Sequence, residues 1–152
     1  MKRGLPEVAI QVDDTHWRGA MLKQRVDEAV RLGLSTRPGA GGVTVLLTSD
    51  TKLRALNRRF RGKDKSTNVL SFAASEPGYL GDVAIAHGVA SVEAKREKKP
   101  LIDHAAHLAL HGTLHLLGYD HQTARQAKVM EALETRLLAQ LGIADPYAGE
   151  GR

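Results

Sequence analysis

The sequence predicts an α+β fold: a small mixed sheet of about four strands packed with about five helices in one layered domain. Three observations predict it. The chain has 152 residues, the length of one ordinary domain, with 42% hydrophobic and 26% charged residues. Short β-branched runs alternate with segments whose apolar residues recur at helical spacing. The longest apolar segment, near residue 110, is long enough for a buried helix and too short to cross a bilayer. The domain is expected to span residues 1–144, with 145–152 as a fraying tail.

Each element has its own signal. Val8 to Val12 is β-rich and bounded by Pro6 and Asp13-Asp14, a first strand. Trp17, Met21, Leu22, Val26, Ala29 and Val30 recur at helical spacing, so a helix is expected from Trp17 to Leu32, capped by Asp14 or Thr15 and stopped by Gly33. The Gly/Pro-rich stretch Ser35 to Gly42 is a loop, and Val43 to Thr48 is a second strand. Ser49 or Asp50 then caps a helix carrying Leu53, Leu56 and Phe60. Asn68 to Ala73 and Gly81 to Ala86 are strands joined by a turn at Pro77-Gly78. A charged helix is expected from Val89 to Lys98, then a long apolar one from Pro100 to Leu117 with Gly118 just past its end. The last helix, Thr123 to Leu141, carries Val129, Leu133, Leu137 and Leu141 on one stripe.

Composition narrows the chemistry. The absence of cysteine excludes disulfides, thiolate metal sites, iron–sulfur clusters and cysteine nucleophiles. The early acidic residues argue against a signal peptide, so a cytoplasmic location is the default. A net charge of +5 permits an anionic partner.

Five of the seven histidines, His104, His107, His111, His115 and His121, lie in the apolar helix and just after it. Buried imidazoles are costly without partners. His111 and His115, four apart, can aim ring nitrogens at one ion. Gly118 can turn the chain back so that His121 reaches it as a third ligand. The spacing His-x3-His-x5-His matches the metzincin, or zincin-like, metal triad, except that Gly112 stands where the peptidase pattern has its glutamate base. Three ligands leave one position open, as in a catalytic zinc site. A purely structural zinc would need a fourth, such as His107 or Asp120. Otherwise His104 and His107 read as core or supporting groups, and Asp120 as a supporting or helix-end group. Gly112 is expected to leave room beside the metal for a bulky nucleotide.

Between Arg54 and Lys65 lie six cations (Arg54, Arg58, Arg59, Arg61, Lys63 and Lys65) and one acid, Asp64. Such density suits a phosphate-binding surface or a solvated face. Thr67, Asn68 and Ser71 follow with groups that position a phosphate or sugar. With 4% aromatics, base stacking is not expected to be the main mode of binding. Lys95, Arg96, Lys98 and Lys99 read as a solvated face.

His111-Gly-Thr-Leu-His115-Leu-Leu-Gly-Tyr-Asp-His121 resembles the signature HGxLHLxGYDH of the YbeY family, the metal-dependent endoribonucleases of bacterial ribosomal RNA maturation. The block from Leu56 to Phe72 is similar to its LNxxYRGKDKPTDVLSF, with Phe60 for tyrosine, Ser66 for proline and Asn68 for aspartate or asparagine. Leu80-Gly-Asp-Val-Ala-Ile85 is similar to its LGDIVI strand, and Met130-Glu131-x-x-Glu134 to its last helix. The resemblance implies His111, His115 and His121 as ligands of one Zn²⁺ per chain, and Arg61 as a cation in the substrate cleft aided by Lys63 and Lys65. It implies single-strand-specific RNA cleavage in 16S rRNA 3′-end maturation and ribosome quality control, on the ribosome or its small subunit. No membrane, no DNA and a monomeric chain are expected. The competing readings are a zinc metallopeptidase with an unusual base and a non-catalytic ribosome-binding zinc protein.

Overall fold

The computed structural model describes residues 6–148. In chain order these form β1 (Val8–Val12), α1 (Leu22–Leu34), β2 (Gly42–Thr48), α2 (Asp50–Arg61), β3 (Val69–Ala73), β4 (Tyr79–Ala86), α3 (His87–Arg96), α4 (Leu101–Leu116) and α5 (Ala124–Ala139). The sheet order is β1-β2-β4-β3; β1, β2 and β4 run parallel, and β3 lies antiparallel to β4 at one edge. The predicted α+β class with a mixed four-stranded sheet is therefore what the chain adopts.

Side chains alternate across each strand, so the sheet builds two different cores. Val43, Val45, Leu47, Val83 and Ile85 face α1 and α4, together with Val26, Val30 and Leu108. Leu70 and Ala84, with Leu46 and Phe72, face α2 through Leu53 and Leu56. A third cluster joins Ala29 of α1, Leu110 and Leu114 of α4 and Met130, Leu137 and Leu138 of α5. Thus α4 is covered by the sheet on one side and helices on the other, as its nearly unbroken apolar surface predicts. Each fully buried leucine contributes about 1.5–3 kcal/mol.

Four details depart from the sequence reading. The first helix begins at Leu22, not Trp17. Gly19 takes φ 130°, and the Asp14 carboxylate accepts the His16 backbone N–H in a local turn instead of capping a helix. Trp17 still reaches the core, donating its indole N–H to the Thr48 carbonyl at 2.9 Å. Ser49 is the cap of α2, while Asp50 accepts the Val89 N–H and so caps α3, which starts at His87.

On α5 the buried residues are Met130, Glu134, Leu137 and Leu138, whereas the expected stripe residue Val129 is 55% exposed. The stripe is rotated because a carboxylate belongs to it. Finally, the stretch expected to fray is tied down as far as residue 148. Asp145 accepts from Thr135 Oγ1 at 3.1 Å and from the Tyr147 N–H at 2.8 Å, and Tyr147 donates its hydroxyl to Glu134. The rest of that stretch, 149–152, lies outside the described residues. None of the described helices is long and apolar enough to cross a membrane.

Candidate metal centre

The C-terminus of α4 sets the site. Gly118 takes φ 101°; its N–H bonds to the His115 carbonyl, and the Tyr119 N–H reaches back to the Leu114 carbonyl. This paired bonding is a Schellman ending, sealed by Tyr119 packing against the cluster that holds Leu114. The reversal returns His121 to the helix. A capping box follows: Thr123 Oγ1 accepts the Gln126 N–H and Gln126 Oε1 accepts the Thr123 N–H, both at 3.1 Å, starting α5 immediately.

The ring nitrogens of His111, His115 and His121 offer ligand atoms that all lie within 4.8 Å of one another. Nε2 of His111 and Nε2 of His115 are 3.2 Å apart. Imidazole nitrogens around one tetrahedral ion sit roughly 3.3 Å from each other, so this spacing fits. His115 is held below the usual imidazole range, first by burial and then by the nearby His111 and His121. A neutral ring keeps its lone pair for a metal.

The ring of His111 is oriented from behind. Its Nδ1 lies 2.7 Å from Oε2 of Glu134, so Nδ1 carries the proton and Nε2 is left as the ligand atom. Glu134 is fully buried. Burial raises its pKa, but the hydrogen bonds it accepts from His107 and His111 outweigh this and bring it to about 2. Its other oxygen, Oε1, meets Nε2 of His107 at 2.6 Å. The next histidine along, His104, pairs with Glu93 at 2.8 Å and is itself held low mainly by burial. His104 and His107 are therefore core groups, each paired with an acid through Nε2, while the buried Nδ1 of each has no hydrogen-bond partner among the described residues. Asp120 accepts the His121 backbone N–H at 2.7 Å. Neither His107 nor Asp120 belongs to the group of three that can share an ion.

The other predicted site residues take different places. Arg61 donates to the Ser71 carbonyl and lies over the Phe72 ring at 5.5 Å. The Ser71 hydroxyl in turn donates to the carbonyl of Gly112, the neighbour of His111, at 2.9 Å. Two hydrogen bonds thus link the guanidinium, through Ser71, to the helix that carries His111 and His115. Asn68 donates to Glu93 and shares with His107 and His111 the wall of a recess of ≈ 220 Å³. Lys63 and Lys65 lie exposed on the loop after α2, and Thr67 is half-buried beyond them. Arg54, another of the six cations, is paired with Asp64 at 2.8 Å.

One expectation is corrected. Gly112 does not open space for a nucleotide: a Cβ there would stand 2.6 Å from Val83 Cγ1 and 3.0 Å from Ser71 Oγ. It is glycine because α4 lies hard against β3 and β4. One aromatic pair lies near Arg61. Phe60 is 58% exposed, edge-on to Phe72, with Arg59 at 5.2 Å from its ring. The sequence reading assigned no role to Glu134, Glu93 or Tyr147. Glu134 had a detectable signal, an acid in phase with Met130, Leu137 and Leu138 on an otherwise apolar stripe.

Fold and site together define an α+β protein with a three-histidine centre at the end of a buried helix, able to hold a metal ion. The family model described as Endoribonuclease YbeY matches residues 9–142. Relatives named Endoribonuclease YbeY include one from Rhodopseudomonas palustris, 43% identical over 99% of this chain and 84% of its own. Another, from Maricaulis maris, is 46% identical over 94% of this chain and 92% of its own. A solution structure from Thermotoga maritima shares the fold at TM-score 0.62 and 21% identity, covering 95% of this chain and 99% of that one. The chain belongs to the endoribonuclease YbeY family.

Proposed function

We propose that this protein is a metal-dependent endoribonuclease that cleaves single-stranded RNA, acting in the cytoplasm as a monomer on ribosomal RNA. In this reading it matures the 16S rRNA 3′ end on the small ribosomal subunit and takes part in ribosome quality control. His111, His115 and His121 hold one Zn²⁺. The observation that carries the reading is the group of three histidines able to share an ion, supported by the hydrogen bonds that tie Arg61 to Ser71 and Ser71 to Gly112, the residue after His111. Such an ion, when bound, supplies Lewis acidity to water and to a phosphodiester.

The side chains then divide the work. Arg61 offers its guanidinium to the phosphoryl oxygens where charge builds up. Lys63, Lys65 and Thr67 flank it and neutralise or position the neighbouring strand. Ser71 and Asn68, expected as RNA contacts, have their side chains bound to Gly112 and Glu93, so their part is to seat β3 against α4 and α3. Glu134 keeps the His111 proton on Nδ1 and leaves Nε2 free to bind metal.

The alternatives fare worse on specific grounds. A peptidase of the matching spacing needs a base at position 112, where the backbone is pressed against Val83 and Ser71. A purely structural zinc needs a fourth ligand, and both candidates are directed elsewhere, His107 at Glu134 and Asp120 at the His121 N–H. The test compares wild type with His111→Ala, His115→Ala and Arg61→Ala, purified in parallel, for zinc content and for cleavage of a labelled single-stranded RNA and its duplex. Both histidine variants should lose zinc and cleavage, and Arg61→Ala should keep zinc while losing about 10²-fold or more in rate. A histidine variant that cleaves like wild type would refute the reading, and an Arg61→Ala variant that does so would remove Arg61 from it.

A further inference from the structure

Glu134 is a buried carboxylate with three donors around it, and one comes from outside the residues matched by the family model. Tyr147 donates its hydroxyl to Oε1, the oxygen that also faces His107, while Oε2 faces His111. The Tyr147 ring lies edge-on to the His107 ring, centroids 5.6 Å apart, and its oxygen is 3.3 Å from His107 Nε2. The segment bearing Tyr147 is itself fastened. Asp145 accepts from Thr135, the residue after Glu134, and from the Tyr147 backbone N–H. Two successive residues of α5 therefore clasp the segment 145–147 across the back of the metal centre.

From this geometry we infer that Tyr147 is a positioning residue of the metal centre: it fixes the plane of the Glu134 carboxylate, and through it the direction in which His111 presents Nε2. The inference rests on the three histidines holding a metal, as proposed above. Its physical basis is that a carboxylate bonded at one oxygen only can rotate about its last bond, and a histidine bonded to it swings with it. Oε1 is held by two donors, His107 from α4 and Tyr147 from the 145–147 segment, so losing the tyrosine hydroxyl leaves one bond opposing rotation in place of two. Groups that orient a metal-binding histidine in this way typically change metal affinity by roughly 10- to 100-fold when removed.

The test uses Tyr147→Phe in the full chain, which keeps the ring against His107 and removes the hydroxyl. Three quantities are measured without RNA: Zn²⁺ affinity by competition with a chromophoric chelator, the visible spectrum of the Co²⁺-substituted protein, and the melting temperature of the metal-free protein. We expect Zn²⁺ affinity to fall roughly 10-fold. The Co²⁺ bands should shift, and the metal-free melting temperature should fall by about 3–12 °C, as for one hydrogen bond to a charged group. Because Tyr147 acts through Glu134, adding Tyr147→Phe to Glu134→Gln should weaken Zn²⁺ binding no further. Unchanged affinity and spectrum would overturn the inference. So would a full 10-fold loss in the Glu134→Gln background, or a melting shift with no spectral change, which is what a merely structural tyrosine gives. Wild type that binds zinc but cleaves no RNA would end the nuclease reading and leave this one standing; wild type that binds no zinc would end both.

Discussion

Replacing Glu134 by glutamine keeps the volume of a fully buried side chain and removes its charge. In the folded protein the carboxyl is lowered from 4.5 to about 2, because the hydrogen bonds it accepts from His107 and His111 outweigh its burial. A drop of that size corresponds to about 3 kcal/mol of stability carried by the ionised form. The sign follows from the direction: a carboxyl lowered by folding stabilises the protein above about pH 4.5, and this is lost as pH falls towards 2. Glutamine has a single acceptor oxygen, so it cannot accept on both sides at once. Either His111, or His107 and Tyr147, then loses its buried acceptor. Urea denaturation of the metal-free proteins at a series of pH values checks this. Glu134→Gln should be about 3 kcal/mol less stable at pH 7, roughly 6–12 °C in Tm. The gap to wild type should narrow steadily below about pH 4.5. A gap that is absent at pH 7, or the same size at pH 7 and pH 3, would refute the assignment of a charged, hydrogen-bonded carboxylate at this position.

Three further outcomes follow from the packing. Gly112→Ala places a Cβ 2.6 Å from Val83 Cγ1 and should cost about 1–3 kcal/mol in chemical denaturation, whereas a nucleotide-accommodating glycine would tolerate alanine. Leu110→Ala opens a cavity between α1, α4 and α5 and should cost about 2–5 kcal/mol by the same measurement. Thr123→Ala removes one half of the capping box and should lower stability by about 1 kcal/mol, with Thr123→Ser restoring most of it.

Much of this molecule can be read from local patterns. An apolar segment with glycine just past its end announces α4 and its reversal, because burial on all sides and a left-handed residue each leave a mark in a few consecutive residues. The three histidines follow from the same two features, four positions along one helix and one return past Gly118. Patterns whose meaning depends on a distant neighbour are misread. Trp17 has the spacing of a helical core residue, yet Gly19 ends any helix there and its indole is held by Thr48. On α5, hydropathy picks Val129 and passes over Glu134, since an acid scores as surface until the two histidines that hydrogen-bond to it are known.

The sequence alone settles that the chain has a buried helix, a basic loop and three histidines able to meet, since spacing, charge and turn chemistry are properties of neighbouring residues. Tertiary structure decides the rest. It presses Gly112 against the sheet, spends Ser71 and Asn68 on packing, brings Arg61 towards the helix and closes Tyr147 over Glu134. These depend on which faces of separate elements meet, and that is set by packing the whole core at once.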